Sequence, residues 1–448
     1  MDFLWGAATS AHQVEGNNTH SDWWDWEHRG FIEGGGISGA ACDHWNRMKE
    51  DIRLAHELGL NSYRFSIDWA KIEPTEGQWD LAAIEWYRDL ISECEKLRII
   101  PMATLHHFTN PLWFAKLGGF ASDSAVKYFS RYVDKMSLEF GERIPLWCTI
   151  NEPVILAIGS YLGKFMPPAE YSPKKVSAAC QNMLHCHIVA YQRLHQDKRK
   201  RTGPFADRPR EVGFAHNVID FKAERPMHLI DRILRAVFDQ FYNRAWLEGT
   251  MGRAQHFGIP GLIPRARPIP ITKNRIYTDF IGINYYMKSY IRFKPLITTE
   301  NTPSELPIGV SFARRWDQVS DMGWAIYPKG LRRLLNWVGK YRLPIYITEN
   351  GIADRSDKMR EGYIRQHLHE LALATENGLD IRGYYYWSLM DNFEWVKGFG
   401  PRFGLLSVNH DTMERTLKPS ALAYKRIIQS HYQDGAYLKP QTDRVLSQ

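Results

Sequence analysis

Cysteine is scarce in this chain of 448 residues: there are five, at Cys42, Cys94, Cys148, Cys180 and Cys186. The count is odd and no two are spaced C-x-x-C. That argues against a disulfide framework and for a reducing compartment, so a cytoplasmic protein is expected. No run of 18 apolar residues occurs, and no membrane span is expected. The opening MDFLWGAATS lacks a basic segment followed by a long apolar one, so no signal peptide is read there. Internal repeats, low-complexity tracts and linker-like segments are also lacking, which predicts one domain over residues 1–448. The net charge is +7, but its lysines and arginines are scattered. The single basic run, Lys198-Arg199-Lys200-Arg201, follows a helical pattern and reads as a solvated helix end. Neither nucleic acid nor a membrane is an expected partner.

Aromatic residues are plentiful, with 16 Trp and 22 Tyr, more than a core alone needs; a stacking surface is implied. Short apolar strand patterns recur at 3–7, 62–67, 99–105, 146–150, 211–215, 280–284, 345–348 and 383–387. Helical periodicity fills the gaps. Asp80 predicts an N-cap for a helix through Lys96 that places Ile84, Tyr87, Ile91 and Cys94 on one face. Tyr128, Tyr132 and Met136 repeat the pattern before the fourth strand, and Leu331, Leu335 and Val338 before the seventh. Eight strands alternating with helices predict an α/β fold, a (β/α)₈ TIM barrel with extended loops after the strands. A doubly wound open sheet would need a phosphate-cradling glycine loop after the first strand, and Gly6-Ala7-Ala8-Thr9-Ser10 is not one. The Pro/Thr-rich stretch 294–310 reads as a long loop after the sixth strand.

In such a barrel, residues at the carboxyl ends of the strands converge on one mouth. Those ends carry His12, Gln13 and Glu15, then Arg64, His106 and His107, Asn151 and Glu152, Asn284 to Tyr286, Glu349, and Trp387 with Asp391 to Trp395. Taken alone, Glu349 in Pro344-Ile345-Tyr346-Ile347-Thr348-Glu349-Asn350-Gly351 reads equally as a used charge or as one turned out to solvent. Its context matches that of Glu152 in Cys148-Thr149-Ile150-Asn151-Glu152-Pro153: both are apolar strands ending in a carboxylate beside an amide. Two facing carboxyls are the requirement for cleaving a glycosidic bond. A metal centre is not expected. Neighbours on a strand point to opposite faces, which separates His106 from His107, and residues two apart on a helix diverge, which separates His185 from His187.

With both motifs intact, T-x-N-E-P at Thr149 to Pro153 and I-T-E-N-G at Ile347 to Gly351, the chain resembles glycoside hydrolase family 1, the β-glucosidases and β-glycosidases, nearly from end to end. The resemblance implies a retaining β-glycosidase acting on terminal non-reducing β-D-glucosyl residues, with galactosyl or fucosyl as further glycones, and using neither cofactor nor metal. The expected partner is a small β-glycoside or an oligosaccharide. Glu349 is implied as the nucleophile and Glu152 as the general acid/base, with carboxyls roughly 5–5.5 Å apart. Arg64 and Asn284 are implied as support for the nucleophile, and Tyr286 as a hydrogen-bond donor to it and part of the substrate-binding set. Gln13, His107, Asn151, Glu394 and Trp395 resemble the glycone-binding residues, with Trp387 as the floor and Phe403 nearby. Trp324 is implied in the aglycone region, and Trp23, Trp24 and Trp26 at the entrance.

The sequence departs from the family's usual H-W-D after the third strand, reading His107-Phe108-Thr109 instead. Glu394 argues against a 6-phosphate glycone, because a carboxylate repels it. Glu152 argues against the branch that lacks the acid/base and points to O-glycosides. Two alternatives stand beside this reading: a transglycosylating relative, and a non-catalytic sugar-binding barrel, which the loss of either glutamate would favour.

Overall fold

A computed structural model describes residues 2–253, 257–294 and 308–434. Eight strands form a closed barrel: β1 (Leu4–Ala8), β2 (Ser62–Ser66), β3 (Ile100–His106), β4 (Leu146–Asn151), β5 (Glu211–Asn217), β6 (Ile281–Asn284), β7 (Ile345–Asn350) and β8 (Ile381–Trp387). Neighbours pair in parallel all round, and β8 closes on β1 with Leu4 opposite Gly383. Most of these strands have little polar alternation because both faces are covered, but β2 alternates Ser62, Arg64 and Ser66 with Tyr63 and Phe65. One face fills the barrel, where Leu4, Met102, Leu146, Cys148, Phe280, Tyr346 and Tyr385 pack together. The other meets the surrounding helices in a much larger cluster.

The expected helices are present. Asp80 accepts a hydrogen bond from Ala83 N at 2.9 Å and starts the helix Leu81–Lys96, with Ile84, Tyr87, Ile91 and Cys94 buried. The helix Ala125–Phe140 precedes β4, and Pro328–Val338 precedes β7.

Two readings of the sequence are corrected. The basic run is not merely solvated: the preceding helix ends at Gln196, Arg199 donates to the carbonyls of Ser137 and Leu138, and Arg201 donates to those of Ile144 and Phe205. These guanidinium groups add donors to backbone oxygens at a helix end and a turn, where basic side chains are favourable. The stretch 294–310 is not loop throughout. Ile308–Ser311 forms a strand antiparallel to Lys288–Phe293, which also pairs in parallel with Asp220–Ala223. Residues 295–307 lie outside the described part.

The pairing is irregular at the carboxyl ends of β4 and β7. Register shifts fall between Cys148 and Asn151 against β5, and after Ile347 against both β6 and β8. Such irregularities re-aim side chains at a barrel rim. The loops beyond are anchored by Arg360. It is fully buried, ion-paired to Asp357 at 2.9 Å, and donates to the carbonyls of Ile352, Phe403 and Gly404. Gly351 completes the arrangement: a Cβ there would lie 1.8 Å from the Trp387 carbonyl oxygen, so only glycine lets the end of β7 pass β8. Gly351→Ala is therefore expected to lower the unfolding temperature by a few degrees, measured by thermal denaturation. It should also cut turnover by at least about tenfold by displacing the strand ends.

Candidate active site

The barrel brings Glu349 and Glu152 into one hydrogen-bonded array. Arg64, fully buried in β2, places Nη1 2.5 Å from Glu349 Oε1, and its Nη2 donates to Asn151 Oδ1 at 2.7 Å. Its Nε donates to Thr104 Oγ1 at 3.1 Å. Tyr286 Oη donates to the other oxygen of Glu349 at 2.7 Å. Across the mouth, Glu152 follows β4 in the left-handed region at φ 45°, as the N-cap of the helix Pro153–Ile158. Its Oε1 accepts from Asn284 Nδ2 at 2.8 Å and Asn217 Nδ2 at 3.0 Å. Asn284 also donates to Asn151 Oδ1 at 3.1 Å. Asn284 accepts from Thr348 Oγ1 at 2.6 Å, and it favours the ionised form of Glu349 as well as bonding Glu152.

The two carboxyls differ in charge. Burial and the neighbouring Glu349 push Glu152 up to about 8. Burial also raises Glu349, with Arg64, Tyr286 and Asn284 acting in the opposite direction. Protonating Glu349 would leave the Arg64 guanidinium as an unpaired buried charge, so the ion pair is the stable form. Arg64 itself is held above its ordinary value by Glu349, against burial.

Around them stand the other expected residues. Gln13 Nε2 donates to Asn392 Oδ1 at 3.0 Å and the Phe393 carbonyl at 2.9 Å, and reaches Glu394 Oε2 at 3.4 Å. Burial, then Glu349 and Glu152, raise Glu394 to about 8, so at neutral pH it can donate as well as accept. His107 accepts at Nε2 from Asn151 Nδ2 at 3.0 Å, and burial and Arg64 keep it neutral. Its ring stacks on Trp387 (centroids 5.8 Å apart) and Trp395 (6.0 Å), with Phe108 edge-on to Trp395 at 5.1 Å. Tyr286, Phe403 and the half-buried Trp324 form an aromatic group with centroids 5.7–6.3 Å apart. Met322 packs with Trp324 and also lines a cavity of about 450 Å³ with Glu33, Asp321, Arg355 and Lys397. Another cavity, of about 470 Å³ between Asp22, Asn110, Phe120 and Tyr161, is lined by neither Glu152 nor Glu349.

Other candidates sit elsewhere. His106 bonds Asn110 Oδ1 at 3.1 Å, away from His107, and His187 bonds Thr149 Oγ1 at 2.7 Å. Glu15 pairs with Lys71 at 3.2 Å. Trp23 and Trp26 do not frame an entrance: both are fully buried, with Trp23 packed behind Trp395 at 4.7 Å. Asn217 escaped the sequence reading because the fifth strand was ended at Ala215. Two more residues of strand would have put an amide at the mouth.

Glu152 and Glu394 are held protonated in the fold to about pH 8, against an ordinary value of 4.5. Between those limits the native state binds protons that the unfolded chain has lost. Their contribution to stability is whole below about pH 4.5 and declines as pH rises to about 8. Glu152→Gln and Glu394→Gln should each raise the unfolding temperature at pH 8 more than at pH 5. Equal shifts at both pH values in thermal melts would contradict these proton affinities.

Comparison with known proteins gives the same fold and family. The glycosyl hydrolase family 1 model matches residues 1–433. β-Glucosidase A of Acetivibrio thermocellus is 30% identical, over 96% of this chain and 98% of that protein. A β-galactosidase of Pyrococcus woesei is 28% identical, over 95% and 96%. Among solved structures, a β-glycosidase from Pyrococcus horikoshii is 36% identical with a TM-score of 0.83, covering 100% of this chain and 97% of that one. The Thermotoga maritima β-glucosidase bound to glucoimidazole has a TM-score of 0.84 at 27% identity, covering 95% and 98%. With a family match over nearly the whole chain, set on a closed eight-stranded parallel barrel, the protein belongs to glycosyl hydrolase family 1.

Proposed function

We propose that in this retaining β-glycosidase Glu349 is the nucleophile and Glu152 the general acid/base. The observation that carries the assignment is the contrast between them. Glu349 lies against a buried arginine, while none of the described residues pairs a cation with Glu152, which is raised to about 8. In the first step Glu349 attacks the anomeric carbon as Glu152 gives its proton to the leaving oxygen, and a covalent glycosyl-enzyme forms. Attack consumes the negative charge of Glu349. That removes the main charge raising Glu152, which then takes a proton from water as general base while the water oxygen bonds the anomeric carbon and the bond to Glu349 breaks, restoring its carboxylate. Arg64, Asn284 and Tyr286 hold the two carboxyls in register.

Gln13, His107, Asn151, Glu394 and Trp395 are proposed to bind the glycone, with Trp387 beneath it and Phe403 beside it. Planar amide, imidazole and carboxyl groups answer sugar hydroxyls, and indole faces cover the ring's C–H surface. A terminal β-D-glucosyl residue is the proposed glycone, with galactosyl or fucosyl also accepted; the names of the relatives support the first two. Trp324 is proposed to stack on the aglycone, and the charged cavity beyond it suits a polar one. We read residues 1–448 as one domain, which a stable fragment released by limited proteolysis would contradict. Among the described residues no helix is long and apolar enough to cross a membrane. A cytoplasmic protein is the reading that five free, buried thiols support, and recovery of activity in the soluble cell fraction tests it.

Glu349→Ala should abolish turnover of an aryl β-glucoside; full activity would sink the assignment. Proton NMR of the first-formed sugar should show the β anomer, and an α product would refute double displacement. Trp324→Ala should raise KM for a β-linked disaccharide several-fold while leaving kcat/KM for a dinitrophenyl glucoside within about twofold.

A further inference from the structure

We infer that Asn217 and Tyr242 are positioning residues for Glu152, which commit its Oε1 to accepting hydrogen bonds and leave Oε2 to carry the proton. The inference rests on reading Glu152 as the acid/base.

An asparagine amide can present either end to a carboxyl group. Here the choice is made by hydroxyl donors. Tyr242 Oη donates to Asn217 Oδ1 at 2.7 Å, and Thr348 Oγ1 donates to Asn284 Oδ1 at 2.6 Å. With both amide oxygens taken, both Nδ2 groups point at Glu152 Oε1, at 3.0 and 2.8 Å. An oxygen that receives two N–H donors is a poor seat for a proton, because an O–H there would oppose them. None of the described residues donates to Oε2, so the transferable proton belongs on that oxygen.

The fold spends an unusual element on this contact. Between the helices Leu229–Asp239 and Ala245–Thr250, residues Gln240–Arg244 form a π-helical turn. Such a wide turn carries one extra residue and often marks a functional position. It points two successive side chains at the end of β5. Asn243 brackets Ile219, accepting from its N–H at 3.0 Å and donating to its carbonyl at 2.9 Å, and the Asn243 carbonyl accepts from His216 Nε2 at 3.1 Å. Those bonds fix the backbone. The bond from Tyr242 does not: it lands on the side chain of Asn217, a half-buried residue whose other end touches Glu152.

Glu349 and Glu394, together with Arg64, Tyr286 and Tyr242, are the ionisable groups that act on Glu152. Against burial and Glu349, the two amide donors favour its ionised form. Removing one should therefore move the alkaline limb of kcat/KM to higher pH as well as loosen the acid's aim.

The test compares kcat/KM for an alkyl β-glucoside, which needs full protonation of its leaving group, with that for a 2,4-dinitrophenyl β-glucoside, which needs little. Asn217→Ala should lower the first by about tenfold or more and leave the second within about twofold. Its alkaline limb should shift upward. Tyr242→Phe removes only a hydroxyl group and should move both readouts the same way by a smaller amount. If Asn217→Ala does not fold, Tyr242→Phe decides. Equal losses on both substrates with an unmoved alkaline limb, or no change in Tyr242→Phe, would overturn the inference. Glu152→Gln separates the two readings: wild-type kcat/KM on the alkyl glucoside in that variant would refute Glu152 as the acid itself.

Discussion

The buried Arg64–Glu349 ion pair is the constraint on which the rest of the mouth depends. Withdrawing each charge from water costs several kcal/mol, and attraction offsets that only if the geometry is tight and the remaining donors are satisfied. Arg64 meets those terms by reaching across the barrel. It bonds Thr104 on β3, Asn151 on β4, and both Glu349 and the Thr348 carbonyl on β7. One side chain from β2 thus sets the spacing of three other strands at the end where the chemistry is proposed. Asn151 passes the constraint on, to His107 through its amide nitrogen and to Asn284 through its oxygen.

The same burial then yields opposite outcomes for neighbouring carboxyls. Glu349 has a cation in contact and stays ionised. Glu152 and Glu394 share the low-dielectric cleft without one, and each feels the charge of Glu349. The proposed acid and the proposed nucleophile are distinguished by a single guanidinium group, not by separate pockets. This is the general way in which one site keeps two identical side chains in different protonation states.

Much of this was legible in the sequence because it is carried by runs of residues. All eight barrel strands could be placed from short apolar patterns, since strands covered on both faces have little polar alternation. The two glutamates stood out because each ends such a run. What stayed hidden depends on single residues at strand ends, or on distance along the chain. Asn217 lies two residues past the visible apolar pattern of β5, and Tyr242 joins it from a π-helical turn that no periodicity announces. Trp23 and Trp26 looked like an entrance because composition cannot distinguish a tryptophan facing a cleft from one buried behind it. Arg199 and Arg201 read as a solvated end because three of their acceptors, Ser137, Leu138 and Ile144, are more than fifty residues away.

The stack of His12, Trp395, His107 and Trp387 has a consequence for recognition. His12 lies parallel to Trp395 at 5.8 Å, with an interplanar angle of 7°, and His107 continues the stack to Trp387. These are flat side chains with few torsions, already locked by their neighbours and by Asn151. A sugar bound there, as proposed, would freeze almost no protein motion, so its contacts would not go into ordering the site. A seat that cannot rearrange would admit a ring only in the outline it already presents, which the proposed glucosyl, galactosyl and fucosyl rings share. Under the proposed assignment, adaptation to varied leaving groups would be left to the loops around Met322 and Trp324.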